Sequence, residues 1–431
     1  MLKDRKVDPQ ALTEVGHALA FPELPEGLGA SNERLRHVAE ARWPFNPAHL
    51  LAAAREQTGL SDFGGDYFYE ALDRLCHSAE QDLELSPVGR RNLYGQILDH
   101  LVQRLRFQDL WKRHPEILDE PIEAPIVIVG LPRSGTTFLQ QLLAQHPGLR
   151  AVPFWENLAP LPQHDPAIRP PDDRPLIEQA ERNVEGLRKF APGLLALHQV
   201  AAEEPEEEIY LLGPGFASMV YEWVYILPSF ARWYAAADHT KGYQHFRQVL
   251  QTLQWMRGGG RRWLLKAPQH MEQLGPLRSA FPDAVIVETL RDPLTAAASN
   301  ANLCCYGQRL RTDAPDPFAA GEASAGIIER LVLSYLRDRP DGDPHFVSVP
   351  FADLMRDPLT LASHVLERAG LEVTDAVPNG MADYVARNNE KPREPVGYAP
   401  ADFGIDVAAL RRKLAPYYEK FGITPDPRFP S

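Results

Sequence analysis

The sequence predicts an α/β fold in which a central parallel sheet is flanked by helices, preceded by a helical N-terminal extension. Residues 33–115 show apolar residues at three- and four-residue spacing, typical of amphipathic helices. From residue 126 onward, short apolar runs suit strands buried on both faces. Helical patterns separate these runs, and such alternation favours right-handed crossovers between parallel strands.

The predicted elements follow one another in a simple order. Four apolar runs predict strands at 126–129, 263–266, 285–290 and 346–349. Helical spacing between them predicts helices at 269–280, 294–302 and 325–336. A proline-rich stretch over residues 160–175 predicts a long irregular connection. We therefore expect a helical region over residues 1–119 and an α/β domain over residues 120–425.

Composition and charge exclude several classes of protein. With 431 residues, 44% of them hydrophobic and 24% charged, the chain resembles an ordinary globular protein. No apolar stretch approaches the roughly 18 residues that a membrane-spanning helix needs. The N-terminus also lacks an apolar segment of signal-peptide length, so we expect a cytoplasmic protein without a membrane span. A formal net charge of -13 disfavours nucleic-acid binding, which needs a basic surface.

Metal-ligand patterns are missing from the sequence. Its three cysteines, two of them adjacent at Cys304 and Cys305, form no CxxC pair and are too few for a disulfide framework. No HExxH motif occurs. We therefore expect no metal cofactor.

The stretch IVIVGLPRSGTTFLQQLL, residues 126–143, is typical of a P-loop-like phosphate-binding loop. A buried strand leads into a glycine-rich turn that opens a helix, so free backbone N–H groups and the positive helix end face an anion. Gly130 and Gly135 allow the tight turn. Thr136 and Thr137 add hydroxyl groups in the first helical turn.

The loop lacks the lysine that holds the terminal phosphates in nucleoside triphosphatases. Thr136 stands at that position, and the cation lies inside the loop instead, at Arg133. This difference argues against hydrolysis of ATP or GTP. A GxxxxG pattern alone is more often a plain turn between a core strand and a core helix, but strand, PRSGTT and helix together favour an anion site.

Two later strands also end in cations. The run WLLKAPQH carries Lys266 at the end of a predicted strand, followed by His270, and LRDPLTAAAS carries Arg291, with Ser299 eight residues later on a short helix. Open α/β sheets bind ligands at the carboxyl ends of their strands, and arginine suits bidentate phosphate contacts. Each cation alone could be a surface charge or a helix cap. Three such features at successive strand ends predict one anion-binding site.

With these motifs the sequence resembles the sulfotransferase family, enzymes that use 3'-phosphoadenosine 5'-phosphosulfate (PAPS), and in particular its bacterial-type branch with a PRSGTT loop and a KxPxH strand end. The resemblance covers most of the chain, including REQTGLSDFG, PIVIVGLPRSGTT, RWLLKAPQHMEQLGPLRSAFPDAVIVETLRDP and DFGID. It implies transfer of a sulfuryl group to a hydroxyl acceptor, with adenosine 3',5'-bisphosphate as product and no required metal.

The resemblance also implies which residues bind PAPS. The 5'-phosphosulfate loop of the family corresponds to Arg133, Ser134, Gly135, Thr136 and Thr137. Its 3'-phosphate contacts correspond to Arg291 and Ser299. Near the C-terminus the cytosolic branch has an RKG segment, whereas this chain has NEKPREPVGYAPADFG. Lys391, Arg393 and Tyr398 are therefore all candidates to cover the nucleotide, and Arg393 is the cation expected to bind it.

Sulfuryl transfer requires stabilisation of charge on oxygen and removal of the acceptor proton. Arg133 and Lys266 are the predicted charge stabilisers. His270 is the predicted base, because neutral imidazole accepts a proton at physiological pH; the alternative is that it only caps or packs. Glu207 is the second candidate, in an acidic stretch, residues 206–208, that is expected to open a helix and that could equally be solvated surface.

The sequence leaves the acceptor and two other functions open. An aromatic run over residues 219–234 is either core or the wall of an acceptor pocket, so phenol, sterol, lipid and sugar hydroxyls all remain candidates. An ATP-dependent phosphotransferase with an atypical loop is disfavoured by the missing lysine. A non-catalytic nucleotide-binding or interaction protein is disfavoured by the presence of Arg133, Lys266 and His270.

Overall fold

The computed structural model describes residues 7–167, 171–390 and 397–429. At its centre is a five-stranded sheet with the order β2-β3-β1-β4-β5, and every pairing is parallel. The strands are β1 Ile126–Gly130, β2 Leu149–Ala151, β3 Arg262–Lys266, β4 Val285–Leu290 and β5 Phe346–Pro350. The predicted α/β fold with a central parallel sheet is therefore confirmed.

The four predicted strands lie where they were expected, within one residue at each end. The fifth, β2, was missed because it is three residues long, at the sheet edge, and carries an arginine in its centre. Such a short segment shows no apolar run that periodicity could detect.

Helices cover both faces of the sheet, and the side-chain alternation of β1 shows this directly. Val127 and Val129 are fully buried in a core cluster formed with the N-terminal helices. Ile126 and Ile128 are fully buried in a second cluster, on the opposite face. Since successive side chains of a strand point to opposite sides, both faces of β1 are interior.

The N-terminal region is helical, as predicted. Its helices are α1 Glu14–Ala20, α2 Glu26–Leu35, α3 Ala39–Arg42, α4 Pro47–Thr58, α5 Phe68–Gln81 and α6 Pro87–Arg113. The longest, α6, begins where the Ser86 side chain accepts a hydrogen bond from the Gly89 N–H, with Pro87 in the first turn. The cluster that contains Val127 also contains residues of α4, α5 and α6, so the core runs across the expected boundary at residue 119.

The loop after β1 leads into a helix of eight residues. The chain then forms further helices before β3. These are α7 Thr136–Leu143, α8 Phe154–Leu158, α9 Arg174–Phe190, α10 Pro192–Leu197, α11 Val220–Val224, α12 Pro228–Ala236 and α13 Thr240–Arg257. The remaining helices are α14 Leu274–Ala280, α15 Pro293–Gln308, α16 Pro317–Asp338, α17 Phe351–Arg356, α18 Pro358–Arg368, α19 Ala376–Glu390, α20 Val407–Lys413 and α21 Ala415–Phe421. In the described parts of the chain, no helix combines the length and apolarity needed to cross a membrane.

Three predicted helices differ from the structure in their bounds. The helix expected at 269–280 is divided into a 3-10 turn, Pro268–Met271, and α14. The other two are longer than expected at both ends, as α15 and α16. Each of these begins at an aspartate, Asp292 or Asp316, whose side chain caps the first turn. The caps account for the earlier starts of both helices.

The register of the sheet positions the site. Ile128 of β1 pairs with Lys266 of β3, and Gly130 of β1 pairs with Thr289 of β4. The carboxyl ends of the three central strands therefore meet at one edge, where the glycine-rich loop leaves β1.

Candidate active site

Both predicted loop glycines have a physical reason to be glycine. A Cβ on Gly130 would lie 1.9 Å from Oγ1 of Thr289, so no side chain fits there. Gly135 has φ +87°, in the left-handed region that L side chains rarely adopt. Arg133 also has a positive φ, 66°, which is uncommon outside glycine and is found mainly where function requires it.

The Ser134 side chain braces the loop from inside. It is fully buried, its hydroxyl donates to the Leu131 carbonyl at 2.5 Å, and its Oγ lies 2.6 Å from Oγ1 of Thr289. The hydroxyl expected to contact the phosphosulfate is thus engaged by the protein. Thr289 was not singled out from the sequence, because a threonine inside an apolar strand carries no signal of its own.

Arginines concentrate at the mouth of the loop. The Arg133 side chain is exposed, and its Nη1 donates to the Leu197 carbonyl at 2.8 Å. Arg291, at the end of β4, donates to the Arg133 carbonyl, and its guanidinium lies 3.8 Å from the centre of the Phe351 ring. Burial lowers the pKa of Arg291, and the nearby charge of Arg428 lowers it further. This crowding of positive charge suits an anion.

The remaining residues expected to bind or cover the nucleotide are Ser299 and three residues near the C-terminus. Ser299 is buried on α15, and within the described ranges no hydrogen bond joins its side chain to Arg291. Arg393 and Lys391 lie outside the described residues. Tyr398 is described and packs near Phe403, with ring centres 6.2 Å apart.

A buried lysine joins the loop helix to the acidic stretch. Nζ of Lys266 lies 2.9 Å from Oε1 of Glu207 and 3.3 Å from Oγ1 of Thr137. Lys266 is fully buried. Burial opposes the charge on its ammonium group, but Glu207 and Glu206 outweigh that effect and raise the pKa of Lys266. The structure thus places a charged ammonium group directly beside the first turn of α7.

Glu206 is held as an anion by its neighbours. Its Oε2 lies 3.0 Å from Nε2 of His198, and its Oε1 accepts the backbone N–H of Glu207 at 2.8 Å. Burial alone would raise the pKa of Glu206, but His198 and Lys266 lower it to about 2. His198 was not identified from the sequence, where a lone histidine 8 residues before the glutamate gives no pattern.

His270 has both ring nitrogens engaged and is fully buried. Its Nε2 lies 2.8 Å from Oε1 of Glu208, and its Nδ1 lies 2.8 Å from the Tyr243 hydroxyl. Burial raises the pKa of Tyr243 well above its usual value, so that hydroxyl keeps its proton and donates to Nδ1. Nε2–H then donates to Glu208, whose Oε2 accepts the backbone N–H of Lys266 at 2.9 Å. No ring nitrogen is left for an acceptor.

The acidic stretch does not open a helix, contrary to the sequence-based expectation. Residues 201–212 form turns and irregular backbone. Glu206 and Glu208 point inward, to His198 and to His270, and these buried contacts replace helical hydrogen bonding. Only Glu207 of the three is partly exposed, with 16% of its side-chain surface accessible. Its carbonyl accepts a hydrogen bond from the Asn157 side chain.

The arrangement is a cationic cradle with one accessible carboxylate. Within the described ranges, no group of three or more histidine, cysteine, aspartate or glutamate side chains could hold a metal ion. The chemistry available from these residues is therefore binding of a polyanion and proton transfer to a carboxylate.

Comparisons with known proteins find matches to the sequence and to the fold of this chain. A family model described as the Sulfotransferase family matches residues 125–375. The crystal structure of sulfotransferase STF9 from Mycobacterium avium superposes with a TM-score of 0.78 at 26% identity, covering 88% of this chain and 97% of that one. Sulfotransferase STF1 from Mycobacterium tuberculosis H37Rv gives a TM-score of 0.71 at 29% identity, covering 86% and 98%. Among curated proteins, none matches this chain.

Proposed function

The chain belongs to the sulfotransferase family, and on that basis we propose that it transfers a sulfuryl group from PAPS to a hydroxyl group of an acceptor molecule. One structural observation supports the proposal in addition to family membership. The Lys266 ammonium group lies between Thr137 of the loop helix and the partly exposed Glu207 carboxylate. It thus connects the expected donor side to the expected acceptor side.

The donor side fits PAPS because its cations are distributed for two separate anionic groups. The glycine loop and the first turn of α7 offer backbone N–H groups to the 5'-phosphosulfate, with Arg133 beside them. Arg291 and Arg428 provide positive charge for the 3'-phosphate. A nucleoside triphosphate would instead need a cation at the position of Thr136 and a magnesium site.

Lys266 and Arg133 would have one role in the transfer, and a carboxylate would have another. The acceptor oxygen forms a bond to sulfur while the bond between sulfur and the bridging phosphate oxygen breaks, and the electron pair of that bond stays on the phosphate. Lys266 and Arg133 stabilise the negative charge that develops on these oxygens. The acceptor proton passes to a carboxylate, so charge and atoms balance without a metal.

We assign the base to Glu207 and a positioning role to His270. Glu207 is the member of the acidic stretch that remains partly exposed, whereas His270 is enclosed between Glu208 and Tyr243. Glu208 in turn accepts the backbone N–H of Lys266. His270 therefore acts through Glu208 on the position of Lys266, which is a structural contribution to catalysis.

A transfer assay with two donors tests the proposal. Purified protein is incubated with labelled PAPS, or with ATP and magnesium, and a mixture of phenol, sterol, alkyl alcohol and sugar acceptors. We expect labelled product from PAPS alone, and a larger rise in Tm with adenosine 3',5'-bisphosphate than with ATP. Phosphorylated product, or equal shifts with both nucleotides, would favour the phosphotransferase. Binding of both nucleotides without any product would favour a non-catalytic protein.

A further inference from the structure

A cavity of about 510 Å³ lies between the N-terminal helix α6 and helix α9. Its volume is in the range of small-molecule sites, roughly 300–1,000 Å³. The α6 wall consists of Arg91, Asn92, Gly95, Gln96, Asp99, His100 and Gln103, and the α9 wall consists of Leu176, Gln179, Ala180, Asn183 and Leu187. Trp155, Tyr210 and Tyr225 contribute aromatic rings to the remaining wall.

The segment that carries Glu207 is also a wall of this cavity. Tyr210, three residues after Glu207, lines it. Asn157 lies between the lining residues Trp155 and Leu158; its Nδ2 donates to the Glu207 carbonyl, and its Oδ1 accepts the Leu211 N–H at 3.2 Å. The cavity wall and the proposed base are therefore held by one side chain.

The cavity face of α6 is polar where a facing helix would normally be apolar. Residues 92, 96, 99 and 103 recur at spacings of four, three and four, which places them on one face of the helix. That face carries three carboxamides and a carboxylate instead of the usual apolar stripe. Across the cavity, α9 adds two more carboxamides, Gln179 and Asn183, both exposed. Asn92 and Asp99 are exposed as well, so the two polar helix faces oppose each other across a groove that is open to solvent.

We propose that this cavity binds the acceptor and that the acceptor is a polyhydroxylated molecule of mono- or disaccharide size. Each carboxamide both donates and accepts hydrogen bonds, and so does each sugar hydroxyl, so the two sets satisfy each other. The ring of Tyr210, which is partly exposed, can pack against the C–H face of a sugar ring, whereas Trp155 and Tyr225 are nearly buried, with 7% and 3% of their surface exposed. A sterol or long-chain alcohol that covered these polar groups would displace water from them without replacing its hydrogen bonds. The inference rests on the proposed function and specifies its acceptor.

Gly95 provides a direct test, because it leaves space on the polar face. A Cβ built at Gly95 meets no heavy atom within 4 Å, although the residue lines the cavity. Gly95→Leu would therefore fill the cavity without a clash at its Cβ, and it replaces a residue that weakens helices. Gly326→Leu on α16 is the matched control, because it is also a helical glycine with nothing within 4 Å of its Cβ and it does not line the cavity.

The experiment compares a sugar panel of trehalose, cellobiose and methyl glucoside with an apolar panel of 2-naphthol, decanol and cholesterol. With labelled PAPS, we expect kcat/KM for at least one sugar to exceed that of every apolar acceptor. We expect Gly95→Leu to lower the sugar kcat/KM by about tenfold or more, with unchanged affinity for adenosine 3',5'-bisphosphate, and Gly326→Leu to change neither.

Several outcomes would overturn the inference while leaving the proposed function intact. One is transfer from PAPS to the apolar panel in preference to sugars, and another is full sugar activity in a folded Gly95→Leu variant. If neither panel is sulfated, trehalose and cellobiose are titrated in the presence of adenosine 3',5'-bisphosphate. A rise in Tm that Gly95→Leu abolishes would support the sugar site, and no rise would overturn it. The nucleotide comparison by Tm tests the proposed function separately.

Discussion

Lys266 and Glu207 form an ion pair in which Nζ lies 2.9 Å from Oε1, with the lysine fully buried and the glutamate partly exposed. A buried ammonium group is stable only when paired, and this one also donates to Thr137 in the loop helix. The pair therefore links the helix that follows the glycine-rich loop to the segment that lines the cavity between α6 and α9.

Replacing Glu207 by glutamine should lower turnover by about 10²- to 10⁴-fold, the usual contribution of a positioned base. Affinity for adenosine 3',5'-bisphosphate should change little, because the amide keeps the shape of the side chain. The defect should shrink from an alkyl alcohol to nitrophenol, since an acidic phenol loses its proton without help. Initial rates along such an acceptor series check this. An equal defect for every acceptor would assign Glu207 to the positioning of Lys266 alone.

His270→Ala should lower stability more clearly than it lowers the chemical step. The change removes the partner of Oε1 of Glu208 and the acceptor of the Tyr243 hydroxyl proton, and each buried polar group left unpaired costs about 1–3 kcal/mol. Urea unfolding should show the loss, and turnover of the folded variant should fall with the same factor for alkyl and phenolic acceptors. A large loss on alkyl alcohols alone, in a variant of normal stability, would restore His270 as the base.

Arg291→Ala should weaken adenosine 3',5'-bisphosphate by about 10- to 100-fold, the loss expected for a charged hydrogen bond. Adenosine 5'-phosphate, which lacks the 3'-phosphate, should bind the variant almost as well as it binds the unchanged protein. Competition assays with both nucleotides measure the difference. Arg356→Ala is the control, because that arginine is 75% exposed and pairs with Asp353. Equal weakening of both nucleotides by Arg291→Ala would show that it acts only through the Arg133 carbonyl.

Gly130→Ala should destabilise the fold by about 1–3 kcal/mol, as overpacking of a core does. The added Cβ would lie 1.9 Å from Oγ1 of Thr289, so one strand has to shift. Thr289→Ala removes that oxygen, and the double variant should lose less stability than the sum of the single variants. Urea unfolding of all three variants measures the coupling. If the stability losses of the two single variants simply add in the double variant, the contact with the Thr289 hydroxyl is not what destabilises Gly130→Ala.

Glu206→Gln should lower stability at neutral pH and much less in acid. The pKa of Glu206 in the folded protein is about 2, below the ordinary 4.5, so its carboxylate stabilises the fold above about pH 4.5. That contribution is lost as the pH falls from 4.5 towards 2. At neutral pH it corresponds to about 3 kcal/mol. Urea unfolding from about pH 7 to about pH 3 checks this, with the exposed Glu203→Gln as control. A difference that stays constant with pH would show that Glu206 contributes only through packing.

The sequence determined the framework of this protein because its signals are local. Four apolar runs and the helical spacing between them predicted the parallel sheet, and the PRSGTT turn predicted the loop between β1 and α7. Lys266 and Arg291 stand at the ends of β3 and β4, the two strands that flank β1, as expected from the rule that parallel strands share a carboxyl edge. These features depend on residues that are near each other in the chain.

Only the tertiary structure decided which polar groups are free to act. The sequence favoured His270 over Glu207 as the base, but the fold encloses His270 between Glu208 and Tyr243 and leaves Glu207 partly exposed. Tyr243 is 27 residues away from His270 in the chain, and Glu208 is 62 residues away. Whether a side chain is paired or accessible depends on partners that distant segments supply, and packing of the whole chain sets that pairing.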